Sequence, residues 1–132
     1  MSTLNVGTIK SITNDATVFQ KSNGTEIGQL AKAWVSFNGN TESIFESFNI
    51  TSVTENTTGV YTVSIDNNFD AATYCVVITS GSSTQNDQTS QNSQLFAHST
   101  RGAGTFKIRH GQTENNSNTD CGELNAVCFG AN

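Results

Sequence analysis

The sequence predicts an all-β protein: an antiparallel β-sandwich, jelly-roll or Greek-key-like, of about seven to nine strands with a short extended N-terminal arm. Three observations carry that expectation. Apolar runs of strand length recur between clusters of Gly, Asn, Asp and Ser at intervals of about 8 to 12 residues. Where the pattern is cleanest, Tyr61, Val63 and Ile65 alternate with Thr62 and Ser64, the period of two that turns one set of side chains inward and the other outward. Charged residues make up only 13% of the chain and proline is absent, so uncharged Ser, Thr and Asn, over a third of all positions, must keep the surface wet. Strong helix formers are scarce, and the Thr, Val, Ile, Phe and Tyr found instead suit a pleated, half-buried surface.

At 132 residues the chain fits one core that folds on hydrophobic burial without disulfide or metal staples. Residues 1–30 read as an arm for attachment or oligomerisation and residues 31–132 as the sandwich. In the arm, Leu4, Val6, Ile9 and Val18-Phe19 are candidate anchors, separated by polar turns such as Thr13-Asn14-Asp15 and Ser22-Asn23-Gly24-Thr25. One or two short strands fit there, with room for a single helical turn over Glu26 to Lys32. Ala33-Trp34-Val35-Ser36-Phe37 is an aromatic-rich strand stopped by Asn38-Gly39-Asn40. Ile44-Phe45-Glu46-Ser47-Phe48 follows, with Phe45 and Phe48 on opposite faces if the strand is regular. Ile50 to Thr54 leads through the loop Glu55 to Gly59 into Val60–Ile65, a hairpin with a Gly-ended loop. After Asp66 to Asp70, the run Tyr74-Cys75-Val76-Val77-Ile78-Thr79 is apolar on both faces, which predicts a central strand covered on both sides. Gly81 to Ser93 is a long polar loop. Gln94 to His98, Gly104 to His110 (Phe106 and Ile108 inward, Lys107 and Arg109 outward) and Glu123 to Phe129 complete the strands, with a second polar loop over Gly111 to Asp120.

Several function classes are disfavoured by composition. Eleven acids against six scattered bases give a net charge of -5, the opposite of the basic stripe that phosphate neutralisation needs, so nucleic acid is not an expected partner. Met1 to Lys10 lacks the apolar core of a signal peptide, and no run reaches the roughly 18 apolar residues of a membrane span. Synthesis in a cytoplasm and no membrane insertion are therefore expected. Cys75, Cys121 and Cys128 are odd in number, so reduced, partly buried thiols are expected, with a Cys121–Cys128 bridge left open. The Asn-X-Ser/Thr triplets at Asn23, Asn49, Asn56 and Asn115 are what chance produces in so Asn-, Ser- and Thr-rich a chain.

One motif suggests chemistry. Arg109-His110-Gly111-Gln112-Thr113 is similar to the Arg-His-Gly-X-Thr active-site motif of the phosphoglycerate mutase and histidine phosphatase family, where His is the phosphoryl nucleophile and Arg binds the phosphate. The second downstream His and the α/β context are missing, since His98 precedes the motif and no βαβ pattern supports it. A strand end and polar loop is the plainer account, and the chain is read as a non-enzyme. The three cysteines and two histidines lack zinc spacing, and Asp66-Asn67-Asn68 with Asp70 reads as Asx-turns before it reads as a calcium loop. No metal or cofactor is expected. Trp34 is either core or an exposed sugar-stacking platform or inter-subunit anchor.

Ala31-Lys32-Ala33-Trp34-Val35-Ser36-Phe37-Asn38-Gly39, then Ser47-Phe48-Asn49-Ile50-Thr51-Ser52-Val53-Thr54, then Thr58-Gly59-Val60-Tyr61-Thr62-Val63 form a distinctive series. It resembles the C-terminal β-domain of tail-fibre and related virion proteins of marine bacteriophages, cyanophages especially. The resemblance continues at Tyr74 to Thr79, Thr105 to Arg109 and Val127-Cys128-Phe129-Gly130, so it runs through residues 31–130. It implies a compact β-sandwich, homotrimeric assembly and a place in the virion.

The function expected is that of a virion structural protein used for host attachment, with other virion proteins of the tail or major capsid and a host-surface glycan as partners. Loop length and polarity nominate Ser82, Thr84, Asn86, Asp87, Gln112, Glu114 and Asn116 as contact residues. A capsid decoration protein, its arm paired along the head lattice by β-augmentation, is the alternative.

Overall fold

The computed structural model describes residues 18–81, 93–112 and 117–130. Ten strands run through them: β1 (Val18–Gln20), β2 (Glu26–Gln29), β3 (Ala33–Phe37), β4 (Ile44–Phe48), β5 (Ile50–Thr57), β6 (Val60–Ile65), β7 (Cys75–Gly81), β8 (Ser93–Gly102), β9 (Thr105–Gln112) and β10 (Glu123–Phe129). Every pairing is antiparallel, and no helix occurs among the described residues. β1 and β2 form a hairpin that joins neither large sheet. The other eight strands make two four-stranded sheets in the orders β4-β3-β10-β7 and β5-β6-β9-β8, and the chain changes sheet after β4, β6, β7 and β9. The all-β sandwich is as expected, with ten strands where about seven to nine were expected.

The core comes from strict alternation on the central strands. Ala33, Val35 and Phe37 of β3, Leu124, Ala126 and Cys128 of β10, Tyr61, Val63 and Ile65 of β6, and Phe106 and Ile108 of β9 all turn inward and are buried. Burying each large side chain contributes roughly 1.5–3 kcal/mol. One end of the core is closed by stacked rings: Phe69 lies on Tyr74 with centroids 4.1 Å apart, Lys32 Nζ sits 4.7 Å over Phe69, and the Arg101 guanidinium lies over Tyr74. Lys32 is buried and donates to the Asn68 carbonyl at 2.6 Å; Arg101 donates to the Tyr74 carbonyl at 2.7 Å.

The crossing from β4 to β5 takes one residue, Asn49, at φ 57°, a left-handed conformation that Asn tolerates. Its amide donates to the Lys32 and Asn67 carbonyls and its oxygen accepts from Asn67 N. Asn67 therefore belongs to a clasp between loops.

Four expectations are corrected. Glu26–Gln29 is strand, because the turn at Lys21 to Thr25, closed by the bonds Lys21 N to Thr25 O and Gly24 N to Lys21 O, folds it onto β1. The β5–β6 turn is tight, since β5 continues to Thr57 and Gly59 takes φ 69°. Phe45 and Phe48 do not split between core and solvent; both are 55% exposed, because a register shift in the β3–β4 pairing breaks the alternation. Finally, among the described residues β7 is an edge strand paired with β10 alone, with Val76 and Ile78 packed on the core and Cys75 and Val77 exposed.

Candidate interaction surface

The two outer faces of the sandwich differ in chemistry. On the second sheet the cross-strand rows Ser52–Ser64–Thr105 and Thr54–Thr62–Lys107 are polar, and the row beyond them pairs Val60 with Arg109. On the first sheet, inward burial of Ala33, Val35, Phe37, Leu124, Ala126 and Cys128 forces Trp34, Ser36, Asn125 and Val127 outward. Register then aligns Phe48, Trp34, Val127 and Val77 in one row across all four strands, with Phe129 and Cys75 as neighbours one step along. Phe48 is 55% exposed, Val77 51% and Phe129 36%, while Trp34 and Val127 are half-buried. A second row, Glu46, Ser36, Asn125 and Thr79, is polar. Trp34 is thus no core residue: it sits near the middle of an apolar stripe.

The predicted loop residues Ser82, Thr84, Asn86, Asp87, Glu114 and Asn116 lie outside the described residues, as do Leu4, Val6 and Ile9 of the arm. Gln112 ends β9 and Val18 starts β1 in backbone only, and Phe19 is exposed on the β1–β2 hairpin. The points from which these segments leave the sandwich are described. Gly81 accepts from the Cys121 thiol, Ser93 pairs with Gln112, and Gly111 bridges Asn118, so both polar loops are rooted at the end that holds the β5–β6 turn and Asp120. The hairpin is rooted at the opposite end, where Lys32 N donates to the Cys128 carbonyl and Gln29 to the Gly130 carbonyl.

The loop end is tied by one carboxylate. Asp120 Oδ1 accepts from Gly59 N at 2.7 Å and from the Tyr61 hydroxyl at 2.9 Å. Burial and this carboxylate hold the Tyr61 hydroxyl far above its ordinary pKa. Desolvation, with the negative charges of Asp120 and Glu42 nearby, also raises Glu55. This convergence of acids from the β3–β4 turn, β5 and the β9–β10 loop was invisible in the sequence, which by itself brings no two acids together.

The Arg109-His110 motif is taken apart by the strand that carries it. His110 is buried, and its ring Nδ1 lies 2.8 Å from the Thr119 carbonyl and 3.2 Å from the Thr119 hydroxyl. Arg109, the next residue of β9, faces the other way and donates to Asn118. Adjacent strand residues on opposite faces cannot grip one phosphate together.

None of the three cysteines is in a disulfide. Cys121 precedes β10 and Cys128 lies near its far end, about 20 Å away, too far for a bridge. Cys128 is buried, which pushes its thiol up to about 12, whereas Cys75 is exposed, contrary to the expectation of burial. Among the described residues no three His, Cys, Asp or Glu side chains group to hold a metal ion, and no helix is long and apolar enough to cross a membrane. Comparison with protein-family models, with curated proteins and with solved structures finds no match.

Proposed function

We propose that the chain is a bacteriophage virion structural protein, a tail-fibre-like surface module used for host attachment, that works by adhesion and not by catalysis. The resemblance over residues 31–130 supports the virion reading, and one structural observation supports the mode of action. The N-terminal hairpin and the two polar loops are rooted at opposite ends of the sandwich. A module held by one end and displaying Ser-, Thr- and Asn-rich loops at the other suits attachment. The hairpin, paired with neither sheet and carrying exposed Phe19, suits docking onto another virion protein. Many weak hydrogen bonds from several displayed copies gain about 10²- to 10⁴-fold in avidity without new chemistry. A capsid decoration protein would use the same hairpin and differs only in where it docks.

Imaging of purified particles carrying a label at Asn132 tests the reading. Label on the tail or its fibres is the expected result; label over the head converts the reading to decoration; particles without label overturn it. Replacing residues 82–92 by a short Gly-Ser linker is then expected to abolish binding to host cells, and undiminished binding would remove the adhesive role from that loop.

A further inference from the structure

We propose that the outer face of the β4-β3-β10-β7 sheet is a self-association surface, occupied by the same face of a second copy about a two-fold axis parallel to the strands between β3 and β10. The inference rests on the register and exposure of that face, and it goes beyond the virion reading without depending on it.

The first argument is β7. Its residues are apolar on both sides, the mark of a strand covered twice, yet among the described residues it is covered once, with Val77 half exposed. The second is area. Taking ~200 Å² for a whole aromatic side chain, Phe48, Phe129, Val77 and the exposed parts of Trp34 and Val127, with Phe45 at the edge, present roughly 400 Å² of apolar surface. That is about half of the ~800 Å² each partner buries in a stable interface, and the adjoining polar row supplies the polar remainder.

The third argument is complementarity, and it selects the second copy. The proposed axis reverses the order of strands, so Phe48 of one copy meets Val77 of the other and Trp34 meets Val127, large against small, twice over. The same operation sets Glu46 against Thr79 and Ser36 against Asn125, an acceptor facing a hydroxyl and a hydroxyl facing an amide, with no carboxylate opposing another. Two sheets stacked this way keep their strands nearly aligned about 10 Å apart, an ordinary sandwich packing. The resemblance implies three-fold assembly. Three-fold pairing would press this face against a different surface and lose this row-to-row match of large against small.

The test is the mass of the full-length chain in solution at about 100 μM and on dilution, by sedimentation or light scattering, with the fluorescence of Trp34, the chain's one tryptophan, read in parallel. A particle of twice the 14.1 kDa chain mass is expected, dissociating in the micromolar range with a red shift of the Trp34 emission. Phe48→Lys is expected to weaken the pairing about 30-fold or more, and Thr54→Lys, on the opposite face, to leave it unchanged. Val77→Lys serves as the second variant, and circular dichroism shows that each variant is folded. A monomer at 100 μM, a three-fold mass, or a dimer indifferent to both Phe48→Lys and Val77→Lys overturns the proposal. These outcomes are independent of particle labelling: a labelled virion with a monomeric protein refutes the pairing alone, and an unlabelled virion with a dimeric protein refutes the virion reading alone.

Discussion

Replacing Asp120 by Ala asks whether one carboxylate ties the loop end of the sandwich together. Its Oδ1 receives two hydrogen bonds, from Gly59 N in the β5–β6 turn and from the hydroxyl of wholly buried Tyr61. Each is charge-assisted and worth about 1.5–3 kcal/mol. Asp120 is only half-buried, so water replaces part of what Gly59 N loses, whereas the Tyr61 hydroxyl is left without its acceptor. Removing the charge also relieves Glu55, which offsets some of the loss. The net expected is about 2–3 kcal/mol, taking the lower part of the range for two bonds. At about 4 °C per kcal/mol for a domain of this size, Tm falls by about 8–12 °C. Thermal and urea unfolding followed by circular dichroism measure it, with an unchanged urea slope as the sign that only stability has moved. Tyr61→Phe keeps the ring in the core and removes the hydroxyl, so it alone should cost about 1 kcal/mol or a little more. In the double variant the shared bond is lost once, and the two costs should fall short of additivity by about 1 kcal/mol. A loss below about 0.5 kcal/mol for Asp120→Ala, or strict additivity with Tyr61→Phe, would refute the clamp.

Gly59→Ala places a Cβ at φ 69°, 2.5 Å from the His110 carbonyl oxygen and 2.6 Å from that of Thr119, neither of which can swing aside. A loss of at least about 3 kcal/mol is expected in chemical unfolding, and a near-native midpoint would show that the turn rearranges freely. The chain has two tyrosines, both buried, with Tyr74 pushed up to about 12 and Cys128 likewise by desolvation. Groups whose pKa is raised on folding stabilise the protein below their ordinary values of 9.0 and 10.0, and that contribution is lost as pH climbs toward 12. Absorbance at 295 nm should therefore stay flat through pH 10 and rise together with alkaline unfolding; an ordinary tyrosine titration in the folded protein would contradict the burial. In protein dilute enough to be monomeric, a thiol reagent should label Cys75 first and Cys128 only after denaturation, read by mass spectrometry of peptides. Glu55→Gln removes a carboxyl whose pKa is raised, so the variant should gain stability at neutral pH and lose that advantage in acid; no difference at pH 7 would separate Glu55 from Asp120 energetically.

Much of the fold was legible because it is written locally. Val60–Ile65 alternates cleanly and lies where alternation puts it, and Glu123–Phe129 begins and ends where its polar flanks say. What failed needed information from across the chain. β2 is a strand because the Asn23-Gly24 turn returns it to β1, an event its own residues do not encode. Phe45 and Phe48 share solvent exposure because the β3–β4 register slips at one step, which no period count foresees. Arg109-His110-Gly111 kept its spelling and lost its meaning, since a strand turns the pair to opposite faces while the phosphatase chemistry needs them to converge.

The candidate surface was legible residue by residue and illegible as a surface. Trp34, Phe48, Val77 and Val127 sit in four separate strands, and each could be placed outward or inward only from its own neighbours. Their row exists because β10, the last strand, enters the sheet between β3 and β7, bringing Val127 beside Trp34 on one side and Val77 on the other. Without that insertion the same four residues would be scattered apolar positions of no consequence, which is how isolated exposed hydrophobics are ordinarily read. The anomaly that did show in the sequence was β7, apolar on both faces and therefore expected at the centre. Its true place is an edge. A strand that carries central-strand chemistry at an edge, on a face where three other strands also present apolar side chains in register, is what the proposed pairing with a second copy would cover.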